Sequence, residues 1–145
     1  MKPPQSLSEN IIYLISETHK QAADEVNRIF REKGFKVSVE QFAVLAVLWY
    51  QNGANQKYIA EQINRDKTTV SRTVATMIRS GLLMKAPDPN DGRGTLIYLT
   101  PQGTEIQQAL VEATGAFYQQ ALKDISEEDH QIALRVLQKI RQNIS

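Results

Sequence analysis

Residues 56–74 read Gln56-Lys57-Tyr58-Ile59-Ala60-Glu61-Gln62-Ile63-Asn64-Arg65-Asp66-Lys67-Thr68-Thr69-Val70-Ser71-Arg72-Thr73-Val74, and residues 88–94 read Asp88-Pro89-Asn90-Asp91-Gly92-Arg93-Gly94. The first stretch predicts a short helix capped by Asn55, a sharp turn at Asn64, and a second helix capped by Asp66. Asparagine tolerates the left-handed conformation such a turn requires. The second helix runs to about Arg79 and stops at Gly81. Val70, Val74 and Met77 fall at i, i+4 and i+7 and, with Ile78, predict its buried stripe. Lys67, Thr68, Thr69, Ser71 and Arg72 then occupy the remaining surface. A helix of this kind fits the DNA major groove, where arginine forks onto guanine and hydroxyls reach phosphates or base edges.

Beyond Gly81, Leu82–Ala86 and Thr95–Leu99 read as strands joined by a long tip rich in proline, aspartate and glycine. Arg93 on that tip suits the negative potential of a narrow minor groove. Asp91, two residues earlier, is placed to brace its guanidinium.

On either side lie longer helical patterns. Ser8–Arg31 carries Ile11, Ile15, Ala22, Val26 and Ile29 at helical spacing, with Ser8 or Ser6 as cap and Gly34 as stop. At 1.5 Å per residue it spans roughly 36 Å, more than a small core needs, as in helices that pack against a partner chain. Ser38 opens a helix through Phe42, Leu45, Leu48 and Trp49. Thr100-Pro101 opens another, carrying Ile106, Leu110, Ala113, Phe117 and Ala121. Ser126-Glu127-Glu128-Asp129 opens the last, in which Ile132, Val136, Leu137, Ile140 and Ile144 share a face.

The composition narrows the function classes. A chain of 145 residues with 41% apolar content predicts one domain with a real core. It has no cysteine, and its only histidines, His19 and His130, lie far apart, so neither a disulfide nor a zinc site is expected. No metal and no cofactor are expected. No apolar run reaches the length of a membrane span, and no apolar h-region follows Lys2, so a cytoplasmic protein is expected. No nucleophile–base–acid set, phosphate loop or HExxH motif is present, so an enzyme is not expected. The net charge is only +1, but its distribution is uneven. Residues 52–100 carry seven basic and four acidic side chains, against six of each in residues 1–51 and four against six in residues 101–145. Positive charge gathers where a phosphate-facing surface requires it.

Asp66-Lys67-Thr68-Thr69-Val70-Ser71-Arg72, Asp88-Pro89-Asn90-Asp91-Gly92-Arg93 and Leu99-Thr100-Pro101-Gln102-Gly103 together resemble the MarR family of bacterial transcription regulators, and the resemblance extends through Glu40-Gln41-Phe42 and the flanking helices. It implies a mainly α fold with a small β-hairpin wing. The winged helix-turn-helix would occupy residues 37–100, flanked by dimerisation helices over 6–34 and 101–145 of a single domain, 1–145. It implies a homodimer that binds a pseudo-palindrome of double-stranded DNA, most often as a repressor. The candidate DNA-binding set is Asn55, Gln56, Arg65, Lys67, Thr68, Thr69, Ser71, Arg72, Asp91 and Arg93. The resemblance also implies a small aromatic or anionic effector, with His19, Phe42 and Trp49 as lining candidates. Core packing is the competing reading of Phe42 and Trp49. The chain departs from the commoner pattern at Gly92, where a second wing arginine is frequent, at Asn64, where glycine is frequent, and at Ala43, where a basic residue is common. The alternative is a winged-helix module that binds protein; the retained Lys67, Arg72 and Arg93 argue against it.

Overall fold

Every helix starts where a polar side chain takes up an orphan amide, and these caps set the frame. The computed structural model describes residues 1–145: six α-helices and one two-stranded antiparallel sheet. Asn10, in extended conformation, caps α1 (Ile11–Glu32); its Oδ1 accepts from the amides of Ile12 and Tyr13, both at 3.1 Å. Neither of the serines expected as caps does so. Their hydroxyls bond each other at 2.9 Å across a single 3₁₀ turn, Leu7–Glu9. Asparagine ranks with serine as an N-cap, and Asn10 stands two residues closer than Ser8 to the apolar stripe, immediately before Ile11. Ser38 and Gln41 form a reciprocal capping box at the head of α2 (Val39–Tyr50). Asn55 caps α3 (Gln56–Ile63), Asp66 caps α4 (Lys67–Arg79), and Ser126 caps α6 (Glu127–Ile144). Thr100 serves α5 (Pro101–Ala121) by accepting from the Gly103 amide at 3.1 Å.

The chain divides into two compact units, Met1–Ala113 and Thr114–Ser145. The first holds the core. Phe30 from α1, Leu45 and Leu48 from α2, Ile59 from α3, Val70, Val74 and Met77 from α4, and Leu110 from α5 are all buried. Each contributes roughly 1.5–3 kcal/mol by leaving water. In the second unit no residue is buried, since burial stops at Ala113. There Ile132, Val136 and Leu137 of α6 remain about 40% exposed.

Strands β1 (Leu83–Asp88) and β2 (Asp91–Leu99) pair in register from Leu83↔Leu99 to Pro87↔Thr95, then jump to Asp88↔Asp91. The jump leaves Gly92, Arg93 and Gly94 as a bulge without partners. The hairpin thus continues almost to Pro89-Asn90, beyond the strand ends expected at Ala86 and Thr95. A bulge absorbs unmatched residues while the ladder continues, so turn-rich composition hid the pairing. Behind the hairpin, Ile97 donates to the Ala54 carbonyl at 2.8 Å, and the Leu99 amide donates to Asn52 Oδ1 at 2.8 Å. These bonds tie the wing to the loop between α2 and α3. No helix is long and apolar enough to cross a membrane.

Candidate nucleic-acid interface

The turn between α3 and α4 is made by Asn64 at φ 53°, ψ 52°, the left-handed conformation expected of it. The Arg65 amide closes the turn on the Ala60 carbonyl at 3.0 Å. Asp66 then takes both the amide and the hydroxyl of Thr69, at 2.8 and 2.7 Å. These two bonds, the amide first, hold the Asp66 carboxyl below the usual carboxylate range. The carboxylate stays charged at the positive end of α4.

Val70, Val74 and Met77 are buried and Ile78 is half-buried, so the expected stripe anchors α4. The opposite side presents Lys67, Thr68, Ser71 and Arg72 to solvent. With Asn55, Gln56 and Lys57 from the head of α3 they line an open cleft of about 730 Å³. Six of the ten expected DNA-binding residues therefore converge on one concave surface. Lys57, which the sequence reading passed over, belongs to it; its place two residues after the Asn55 cap was the available signal.

The other four differ. Thr69 is half-buried and its hydroxyl is committed to Asp66. Arg65 points away from this cleft and pairs with Glu40 on α2, Nε to Oε1, at 3.3 Å. On the wing, Arg93 is exposed and Asp91 accepts from the Arg93 main-chain amide at 3.1 Å. The aspartate thus shapes the bulge that carries Arg93, where a brace on its guanidinium was expected. A residue two positions away in a tight bulge meets the amide before the end of a long side chain.

A second groove, of about 710 Å³, runs between α1, α2 and α3. Of the three residues named as effector-lining candidates, His19 lines it, together with Ala43, Val47, Tyr50, Tyr58 and Arg65. Phe42 and Trp49 do not line it. Phe42 packs edge-on between Phe30 and Trp49, with centroids 5.7 and 5.5 Å away. They lie seven residues apart on α2, on a different stripe from Val39, Ala43, Ala46 and Tyr50, which face the groove. Core packing is the reading that holds for both. The Trp49 indole N–H is buried without an acceptor.

A model described as the MarR family matches residues 37–95. The chain is 26% identical over 109 residues to YdgJ of Bacillus subtilis, described as an uncharacterized HTH-type transcriptional regulator; the match covers 75% of this chain and 66% of YdgJ, just under two thirds of that protein. It is 24% identical to the HTH-type transcriptional repressor IacR of Pseudomonas putida over 132 residues, 91% of this chain and 78% of IacR. Among solved structures, CouR from Rhodococcus jostii RHA1 bound to p-coumaroyl-CoA superposes with a TM-score of 0.84 at 25% identity, covering 94% of this chain and 95% of CouR. PcaV from Streptomyces coelicolor, in complex with its natural ligand, gives a TM-score of 0.83 at 21% identity, covering 99% and 100%, a likeness of fold.

Proposed function

We propose that this chain, which belongs to the MarR family, is a dimeric DNA-binding transcription regulator of the repressor kind. In this reading α4 enters the major groove and the bulge at Arg93 reaches the neighbouring minor groove. The single observation that carries it is the cleft in which Lys67, Thr68, Ser71 and Arg72 meet Asn55, Gln56 and Lys57. Cations and hydrogen-bonding groups are gathered there on a surface that buries nothing within the chain. Two copies related by a two-fold axis read a pseudo-palindrome whose half-sites lie about one helical turn apart. A small aromatic or anionic effector enters the groove that His19 lines and favours one of two dimer geometries. CouR, whose structure holds an aromatic acyl-CoA, supports that part of the reading.

The test is binding to DNA selected from random sequence, followed by fluorescence anisotropy. Arg72→Ala should cost about 1–3 kcal/mol and relax the base preference at one position. Arg93→Ala should weaken binding across sequences and lower the salt dependence by about one counterion. Unchanged affinity in both variants would refute the assignment.

A further inference from the structure

Arg72 belongs to two clefts. One is the basic cleft it shares with Lys57 and Lys67, which no acid lines. The other is smaller, about 180 Å³, and is formed by Thr73 and Thr76 of α4 with Ser38, Glu40 and Gln41 at the head of α2. Arg72 and Glu40 are the two charged side chains of that smaller cleft. Glu40 is held in place by Arg65, whose Nε donates to its Oε1 at 3.3 Å. The Arg65 backbone is itself fixed between the left-handed Asn64 and the cap Asp66. The pair is a single contact between side chains 48% and 46% exposed, so it adds little to stability. Its consequence is a position: an anion is kept on the flank of the helix that presents Arg72. The hydrogen-bonding groups around it are engaged elsewhere. Ser38 and Gln41 bond each other in the capping box, and the Thr76 hydroxyl donates to the Arg72 carbonyl at 3.1 Å. That flank therefore receives a phosphate poorly.

We propose that Glu40 is a specificity-determining residue of the DNA interface: its carboxylate bars phosphate from one flank of Arg72, so that the guanidinium gains by contact with a base edge more than with backbone. The inference rests on the regulator reading above and adds to it a residue outside the set of DNA contacts. An arginine on an exposed helix face binds DNA in two ways. A fork onto guanine depends on sequence, and an ion pair with phosphate does not. The second kind of contact supplies most of the binding to unselected DNA. On the right sequence Arg72 sits on its base, and the acid beside it costs little. On a wrong sequence the arginine has no guanine to fork and turns to a phosphate. There the carboxylate repels the phosphate and competes for the guanidinium. Glu40 thus weakens wrong complexes more than the right one, which is discrimination by an unfavourable element.

The experiment compares the full-length wild type, Glu40→Gln, Glu40→Asp, Arg72→Ala and the double variant Glu40→Gln/Arg72→Ala by fluorescence anisotropy. Each is titrated with the selected DNA and with a duplex of equal length and shuffled sequence, across a salt series. Glu40→Gln should bind the shuffled duplex on the order of fivefold more tightly than wild type, the effect of one exposed unit charge at contact distance. Its salt dependence there should steepen by about one counterion. Its affinity for the selected DNA should change less, so the ratio of the two affinities falls. Glu40→Asp keeps the charge and should keep most of that ratio. Without Arg72 the Glu40→Gln change should leave the ratio where it is, because the two residues act as one unit. Unchanged or weaker binding of the shuffled duplex by Glu40→Gln, an equal change on both duplexes, or the same loss of discrimination in the absence of Arg72 each overturns the proposal. A wild type that binds neither duplex refutes the regulator reading and this inference with it. A wild type that discriminates, matched by Glu40→Gln, refutes this inference alone.

Discussion

Gly103 illustrates how much one residue can carry. A Cβ built there would lie 2.2 Å from the Leu82 carbonyl oxygen, closer than any real contact allows. The same carbonyl accepts from the Thr100 amide at 3.1 Å, and the Thr100 hydroxyl donates to the Gly81 carbonyl at 2.6 Å. Leu99-Thr100-Pro101-Gln102-Gly103 is thus a weld between the end of α4, the start of the hairpin and the first turn of α5. It was legible in the sequence as a family motif, but its reason was not, because the crowding partner lies twenty-one positions earlier. Gly103→Ala should destabilise the chain by about 2–4 kcal/mol, the range of a backbone clash that cannot relax, read as a lower urea midpoint. At Gly53 the constraint is of another kind: φ is 83°, which L side chains rarely adopt, and an added Cβ would meet the Tyr98 ring at 2.7 Å.

At the scale of the element, α4 depends on its cap. Asp66 is charged in the folded protein at pH values where a free aspartate has begun to protonate, because the Thr69 amide and hydroxyl favour the anion. Its folded pKa lies below its unfolded one, so its contribution is fully present above the unfolded value and fades as pH falls through the folded value. Arg28 lowers Glu25 likewise through a side-chain hydrogen bond, and that contribution fades in the same direction. Urea midpoints measured from about pH 6 down to about pH 3 should fall for wild type and fall less steeply for Asp66→Asn, which keeps Glu25. Parallel curves would refute the role given to Asp66. Helix starts at Val39, Gln56, Lys67 and Glu127 could be read from the sequence, since capping is local chemistry. The hairpin could not be read to its full length, since the Pro87–Asp88 bulge is decided across strands.

Taken as a single chain, the molecule leaves apolar faces in solvent. The apolar face of α6 built from Ile132, Val136, Leu137 and Ile144 stays exposed, Ile144 by 77%. At the other end Leu7, Ile11, Ile12 and Leu14 are exposed as well. Contiguous exposed apolar surface favours a partner, and a second copy is the partner the regulator reading requires. Leu137→Glu should shift the protein toward monomer in sedimentation or light scattering and remove the rise of Tm with concentration. Because two half-sites are then no longer read together, its DNA affinity should also fall at least tenfold. A variant that stays dimeric places the contact elsewhere.

The sequence by itself determined the helices, the caps of α2 to α6, the left-handed turn at Asn64 and the stripe that anchors α4. Each of these follows from side chains acting on neighbours within a turn or two. Only the tertiary structure decided that Phe42 and Trp49 belong to the core, that Arg65 faces Glu40 and the groove, and that Asp91 holds the backbone of Arg93. Those outcomes depend on which element a face meets, or on the exact reach of a long side chain. Periodicity gives the face of a helix and leaves its neighbour undetermined.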